Sequence, residues 1–129
     1  MKRAGILNRH LAGALAALGH GDTVLVCDAG LPIPDGPRLV DLAFRAGVPS
    51  FADVLDGLLD ELVVEGATAA REVTEANPAA SALLTARLPG LALIPHDDLK
   101  AGSARARLIV RTGEATPYAN VLLRCGVFF

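Results

Sequence analysis

The spacing of its short apolar runs limits the fold of this chain more than any other feature. Residues 23–27 (T-V-L-V-C), 38–42, 62–70, 91–94, 108–111 and 120–123 are brief stretches dominated by aliphatic residues. Most are of strand length and too short to be helices. Residues 62–70 fit either a strand or a continuation of the helix before them, and the β-propensity of Val63 and Val64 favours the strand. Between the runs lie segments with helical spacing. Residues 8–18 put Leu11, Leu15 and Leu18 on one face, with Asn8 as N-cap and Gly19 as stop. Ser50 caps a helix in which Phe51, Val54, Leu55, Leu58 and Leu59 share a face, with Asp53 as its capping-box acid. Asn77 and Pro78 form an N-cap and first-turn pair for a helix reaching about Leu88, and residues 96–102 read as a short helix or turn. Strands alternating with helices predict an α/β fold: a single-domain three-layer sandwich with a mixed, partly parallel sheet.

Composition supports one domain and points to self-association. The chain has 129 residues, enough for a single core. Its hydrophobic fraction is 52% but its aromatic fraction only 4%, so Ala, Val and Leu must do most of the packing. A mean hydropathy of +0.43 is high for a small monomer, and a homo-oligomer is expected. No apolar run approaches the roughly 18 residues needed to span a bilayer, so no membrane contact is expected. The start M-K-R-A-G-I-L-N has too short an apolar stretch for a signal peptide. Net charge is −2 without a basic cluster, so no nucleic-acid partner is expected either. Cys27 and Cys125 are too few and too far apart for a zinc motif or a disulfide framework, and Cys27 reads as a buried thiol. A cytoplasmic protein is the expectation.

The candidate chemistry lies in loops. Of the three histidines, His10 falls within the first helix and reads as a surface or packing residue. His20 stands between Gly19 and Gly21, which open a turn and let a ligand approach the ring; a structural turn histidine is the alternative. Asp28 follows the strand 23–27 and enters the loop A-G-L-P-I-P-D-G-P, whose three prolines make it rigid and extended. It is either a ligand contact at a strand end or the cap of its own turn. His96 opens H-D-D-L-K, where Lys100 lies one turn further on the same face. Tyr118 and Asn120, in a loop shaped by Gly113 and Pro117, carry groups that suit a polyol; a merely packed aromatic is the alternative for Tyr118. Glycine-rich phosphate loops, zinc-protease helices and nucleophile elbows are absent. These residues alone describe a small oligomeric α/β protein with loops fit for a neutral polar ligand.

Taken together, the loops resemble the D-ribose pyranase family of sugar mutarotases. The matching pieces are L-G-H-G-D at 18–22, C-D-A-G-L-P-I-P at 27–34, G-V-P-S-F at 47–51, H-x-x-x-K at 96–100 and R-T-G-E-x-x-P-Y-A-N at 111–120, with the Gly126-Val127 end. They keep their order along nearly the whole chain. A fucose-handling branch typically carries D-A-H-F-P and Y-G-N where this chain has D-A-G-L-P and Y-A-N. The resemblance implies interconversion of ribose ring forms, with His20 as proton donor. Asp28, His96, Tyr118, Ala119 and Asn120 would bind the sugar, with Lys100 a further candidate. It also implies a ring-shaped assembly, commonly a decamer, and no metal or organic cofactor. Two departures are a short segment before His96, around Leu88–Leu93, and Asp97 where Glu is common. A non-catalytic sugar-binding module is the competing reading. One geometric expectation stands apart from the resemblance. Eight residues of extended chain at about 3.3 Å each put His20 and Asp28 as much as ~26 Å apart. A turn at 19–22 shortens this without bringing them into contact, so the two residues of one chain should serve different pockets, each completed by a neighbouring subunit.

Overall fold

The computed structural model describes residues 1–129. In chain order the elements are α1 (Arg9–Ala16), β1 (Thr23–Cys27), β2 (Arg38–Asp41), α2 (Phe51–Leu59), β3 (Val64–Ala70), α3 (Val73–Ala76), α4 (Pro78–Arg87), β4 (Ala92–Ile94), α5 (His96–Ser103), β5 (Leu108–Arg111) and β6 (Val121–Cys125). Every expected strand is present, including the ambiguous one, now β3. The single-turn α3 was not foreseen: V-T-E-A is too short to show helical periodicity.

Local chemistry explains the helix starts. The Asn8 side chain accepts from the N–H groups of His10 and Leu11, and Asn77 Oδ1 accepts from Ala80 N–H, with Pro78 in the first turn. Ser50 Oγ accepts from Asp53 N–H at 3.0 Å, so the cap forms as read. The reciprocal bond from Ser50 N–H to the Asp53 carboxylate does not form. Aspartate is one methylene shorter than the glutamate that usually closes a capping box.

The six strands form one sheet in the order β2-β5-β1-β6-β3-β4. β1 pairs parallel with β5, and β5 with β2; β3 pairs parallel with β4. β6 is inserted antiparallel between β1 and β3, with Val26 opposite Val121 and Ala69 opposite Val121 on its other side. Five strands therefore point one way and β6 the other. The period-2 alternation of β1 sends its side chains to two cores. Val24 and Val26 join the larger, which also takes Leu11 and Leu15 from α1, Phe51, Leu55 and Leu58 from α2, and Leu84 from α4. Leu25 and Cys27 join Ile109, Ala106 and Leu31 on the opposite face. Each fully buried aliphatic side chain contributes about 1.5–3 kcal/mol, so the thick face carries most of the stability. Cores on both faces of a mixed sheet make the three-layer α/β architecture expected from the sequence.

Candidate active site

The orientation of the strands sorts the candidate residues. The carboxyl ends of β1, β2, β3, β4 and β5 and the amino end of β6 lie together at one end of the sheet. Asp28 follows β1, Glu72 follows β3, His96 follows β4, Thr112–Glu114 follow β5, and Tyr118–Asn120 precede β6. Ligands of open α/β sheets bind at such ends, where loops converge from several strands. His20 is at the other end, before β1, beside the carboxyl end of β6.

Asp28 and Asn120 form the centre of the carboxyl end. The Asp28 N–H donates to Asn120 Oδ1 at 2.9 Å, and Asn120 Nδ2 donates to Asp28 Oδ2 at 3.0 Å. Gly30 N–H donates to Asp28 Oδ1 at 3.0 Å, so the carboxylate also caps its own turn. Asn120 is fully buried and Asp28 nearly so. Its amide is thus spent chiefly on Asp28, a task the sequence did not reveal. Ala119 is buried beside it. Tyr118, half-buried, takes a left-handed φ of 58°, a costly conformation for a non-glycine residue that clusters at functional sites. His96 meets the Tyr118 ring edge-on, 5.0 Å between centroids and at 88°. Its Nδ1 is buried without a hydrogen-bond partner. Lys100 reaches Asp97 at 3.1 Å rather than staying with His96.

Residues that sequence reasoning passed over hold this end in shape. Glu114 Oε2 accepts from Phe51 N–H at 3.1 Å, and Oε1 accepts from the N–H groups of Ala115 and Thr116 and from the Thr116 hydroxyl. Its carbonyl accepts from Ala29 N–H, next to Asp28. Partial burial pushes the Glu114 carboxyl up, but the bonds from Phe51, Thr116 and Ala115 outweigh it and hold the group below its ordinary value. Glu72 is held low by its own N–H and by that of His96, which both its oxygens meet at 3.2 and 3.0 Å. Asn77 Nδ2 donates to Thr116 Oγ1 and to Pro117 O, both at 2.8 Å. Arg111 donates to Ala29 O and pairs with Asp41 at 3.0 Å, fixing the loop after Asp28 from outside. The motif R-T-G-E pointed to Arg111 and Glu114 by position, but a carboxylate that accepts from its own loop leaves no periodic trace. Burial pushes the Cys27 thiol up to about 12, with Asp28 adding to it, so this cysteine is inert packing as read. No three His, Cys, Asp or Glu side chains are arranged to hold a metal ion.

The amino end is sparser. His20 Nε2 lies 3.0 Å from Glu65 Oε2 on β3, and Arg124 Nε on β6 donates to Glu65 Oε1 at 2.9 Å. A groove of about 310 Å³ runs beside the imidazole, lined by Leu18, Glu61, Val63, Phe128 and Phe129 among others. A separate cavity of about 460 Å³ lies by Tyr118, Arg71 and Glu72 at the other end. The expected separation of His20 from Asp28 within one chain is what the fold builds.

A model of the RbsD / FucU transport protein family matches residues 1–128. The chain belongs to that family. A D-ribose pyranase of Streptomyces avermitilis is 82% identical over 129 residues, which is 100% of each chain, so the short segment around Leu88–Leu93 is shared by that relative. The solved structure of Bacillus subtilis RbsD complexed with D-ribose is 41% identical, with a TM-score of 0.96 over 100% of both chains. A fucose mutarotase from Streptococcus pneumoniae, in complex with L-fucose, also covers 100% of both chains but at 20% identity and a TM-score of 0.81, a likeness of fold alone.

Proposed function

We propose that this chain is a D-ribose pyranase, an isomerase that interconverts the pyranose and furanose forms of D-ribose by acid–base ring opening and closure. The observation that carries this reading is the full-length 82% identity to a D-ribose pyranase. The 41% identical relative held with D-ribose agrees with it. The reaction asks for a proton delivered to the ring oxygen and one removed from the anomeric hydroxyl. Closure through a different hydroxyl then changes the ring size. His20 is the proton donor: imidazole is the side chain suited to proton transfer near neutral pH, and this one is reachable from the groove and sits between glycines that leave room for a sugar. Asp28, His96, Tyr118, Ala119 and Asn120 form the sugar-binding set at the carboxyl end, with Asn120 acting through Asp28 and Lys100 at the margin. Positioned acid–base catalysis supplies about 10²–10⁴-fold, ample for a reaction that already proceeds unaided.

Because His20 and the Asp28 cluster occupy opposite ends of one sheet, a complete site joins the His20 of one subunit to the Asp28 end of another. The exposed Phe44, Phe128 and Phe129 supply apolar surface for such contacts, and a decameric ring is the assembly we favour. Two free, buried thiols suit the cytoplasm. Saturation-transfer NMR between ribose anomers tests the function, with fucose in parallel. Exchange should accelerate with protein present, for ribose more than for fucose, and the acceleration should vanish in His20→Ala. Saturable binding without acceleration would instead make the chain a sugar-binding module, and an unchanged rate in His20→Ala would remove His20 from its role.

A further inference from the structure

We propose that Glu65 is a positioning residue for His20: it fixes the imidazole as the Nε2–H tautomer and so makes Nδ1 the nitrogen that exchanges protons with the sugar. The inference rests on the pyranase reading for its chemistry, but its geometry stands alone. A carboxylate has no proton to give, so a hydrogen bond 3.0 Å from Glu65 Oε2 to His20 Nε2 requires the proton to be on Nε2. The other carboxylate oxygen, Oε1, is occupied by Arg124 Nε at 2.9 Å, which keeps Glu65 turned toward the ring. The two braces come from adjacent strands: Glu65 from β3 and Arg124 from β6. Their contacts run in series, Arg124 to Glu65 to His20, so that the outermost group holds the middle one and the middle one orients the ring.

The alignment is needed because nothing else holds the ring. His20 sits in a glycine-flanked turn with its side chain 58% exposed, and Nε2 is the ring atom bonded within the chain. Free to rotate about its two side-chain torsions, the ring would present either nitrogen to a ligand. With Nε2–H on Glu65, the free edge of the ring carries Nδ1. In ring opening the imidazolium gives its Nδ1 proton to the ring oxygen as the C1–O bond breaks and its electron pair passes to that oxygen. The anomeric hydroxyl yields its proton to a second base, and C1 becomes a carbonyl carbon. On reclosure another hydroxyl attacks C1 and returns its proton to Nδ1, while the carbonyl oxygen regains a proton from the second base. Through both steps the Nε2 proton stays on the ring, donated to Glu65 Oε2.

Long-range ¹H–¹⁵N spectra of the full protein, above the pH at which the ring titrates, report the tautomer directly, with the His20 signals identified by their loss in His20→Ala. The wild type should show a pyrrole-like Nε2 and a pyridine-like Nδ1, and ribose should shift Nδ1 rather than Nε2. In Glu65→Ala the two nitrogen shifts should move toward each other, and the maximal ring-exchange rate should fall about tenfold or more with little change in half-saturation. Glu65→Gln, whose amide oxygen can still accept from Nε2–H, should recover the wild-type tautomer and part of the rate. A wild-type His20 protonated on Nδ1, or spectra unchanged in Glu65→Ala, would overturn the proposal whatever the activity. Failure of the pyranase reading looks different: the tautomer would be as described, but wild-type protein would not accelerate ribose exchange.

Discussion

The two ends of the sheet are built in opposite ways. At the carboxyl end Asp28, Asn120 and Thr112 are buried and Glu114 partly so, and all are locked by hydrogen bonds between loops far apart in sequence. At the amino end His20 is mostly exposed and meets one partner, itself only partly buried. The carboxyl end is therefore assembled by folding itself, and its shape and the stability of the domain are one property. The amino end offers an imidazole on an accessible turn beside an open groove. Changes at the first end should act on folding and at the second on chemistry.

The sharpest way to break that contrast is Gly113→Ala. Gly113 is buried where the loop after β5 crosses the segment before α2: its carbonyl accepts from Gly47 N–H at 2.6 Å and its N–H donates to Pro49 O at 2.9 Å. A Cβ there would collide with the Val48 carbonyl and lie 2.7 Å from Arg45 O, both backbone atoms that cannot turn aside. We expect a loss above about 3 kcal/mol, read as a collapse of the thermal or denaturant midpoint. Gly57→Ala is the control. Nothing lies within 4 Å of that position in α2, and alanine should be neutral or stabilising by up to about 1 kcal/mol. Equal midpoints for Gly113→Ala and wild type would mean that the carboxyl-end loops are not locked as described.

The same contrast explains what could be read without coordinates. Most strands were legible because they are compact apolar runs, the one that became β3 less so, and the helices because Asn8, Ser50 and Asn77 announce them. The separation of His20 from Asp28 followed from strand length alone. Hidden were the contacts made across sequence distance. The Asp28–Asn120 pair spans 92 residues and the Glu114–Phe51 bond 63. Neither has a local pattern, because the antiparallel insertion of β6 is what brings Asn120 to Asp28. For the same reason nothing in the sequence showed that the Asn120 amide bonds Asp28 through both its oxygen and its nitrogen. Glu65 escaped notice because an acid on a strand of uncertain type looks like any solvated residue.

A smaller effect is expected from acid. The carboxyl of Glu114 is held below its ordinary value in the folded protein, so the folded state binds fewer protons there than the unfolded chain. Its contribution is complete above the unfolded value, about 4.3, and disappears as pH falls through the folded value. Glu72 shifts in the same direction, so Glu114→Gln should flatten the acid limb of the stability profile without abolishing it. Denaturant midpoints from pH 7 down to pH 3 measure this. If wild type and Glu114→Gln lose stability in parallel over that range, Glu114 does not carry the acid sensitivity of the carboxyl end.

The smallest expected effect is also the most discriminating. His20→Ala removes an imidazole whose one partner is Glu65, on a turn that contributes nothing to either core. An exposed pair of this kind stabilises by less than about 1 kcal/mol, and a surface substitution away from the core usually falls within about 0.5 kcal/mol. The turn itself is secured by other groups: Gly19 N–H donates to Asp22 Oδ2 at 2.9 Å, and Gly21 N–H donates to Cys125 O. His20→Ala should therefore unfold at the wild-type midpoint while ribose exchange falls to the uncatalysed rate. A residue that can be removed without cost to the fold, yet not without cost to the reaction, is kept for its chemistry. A midpoint lowered as far as that of a core variant would make His20 structural, and the division between the two ends would not hold.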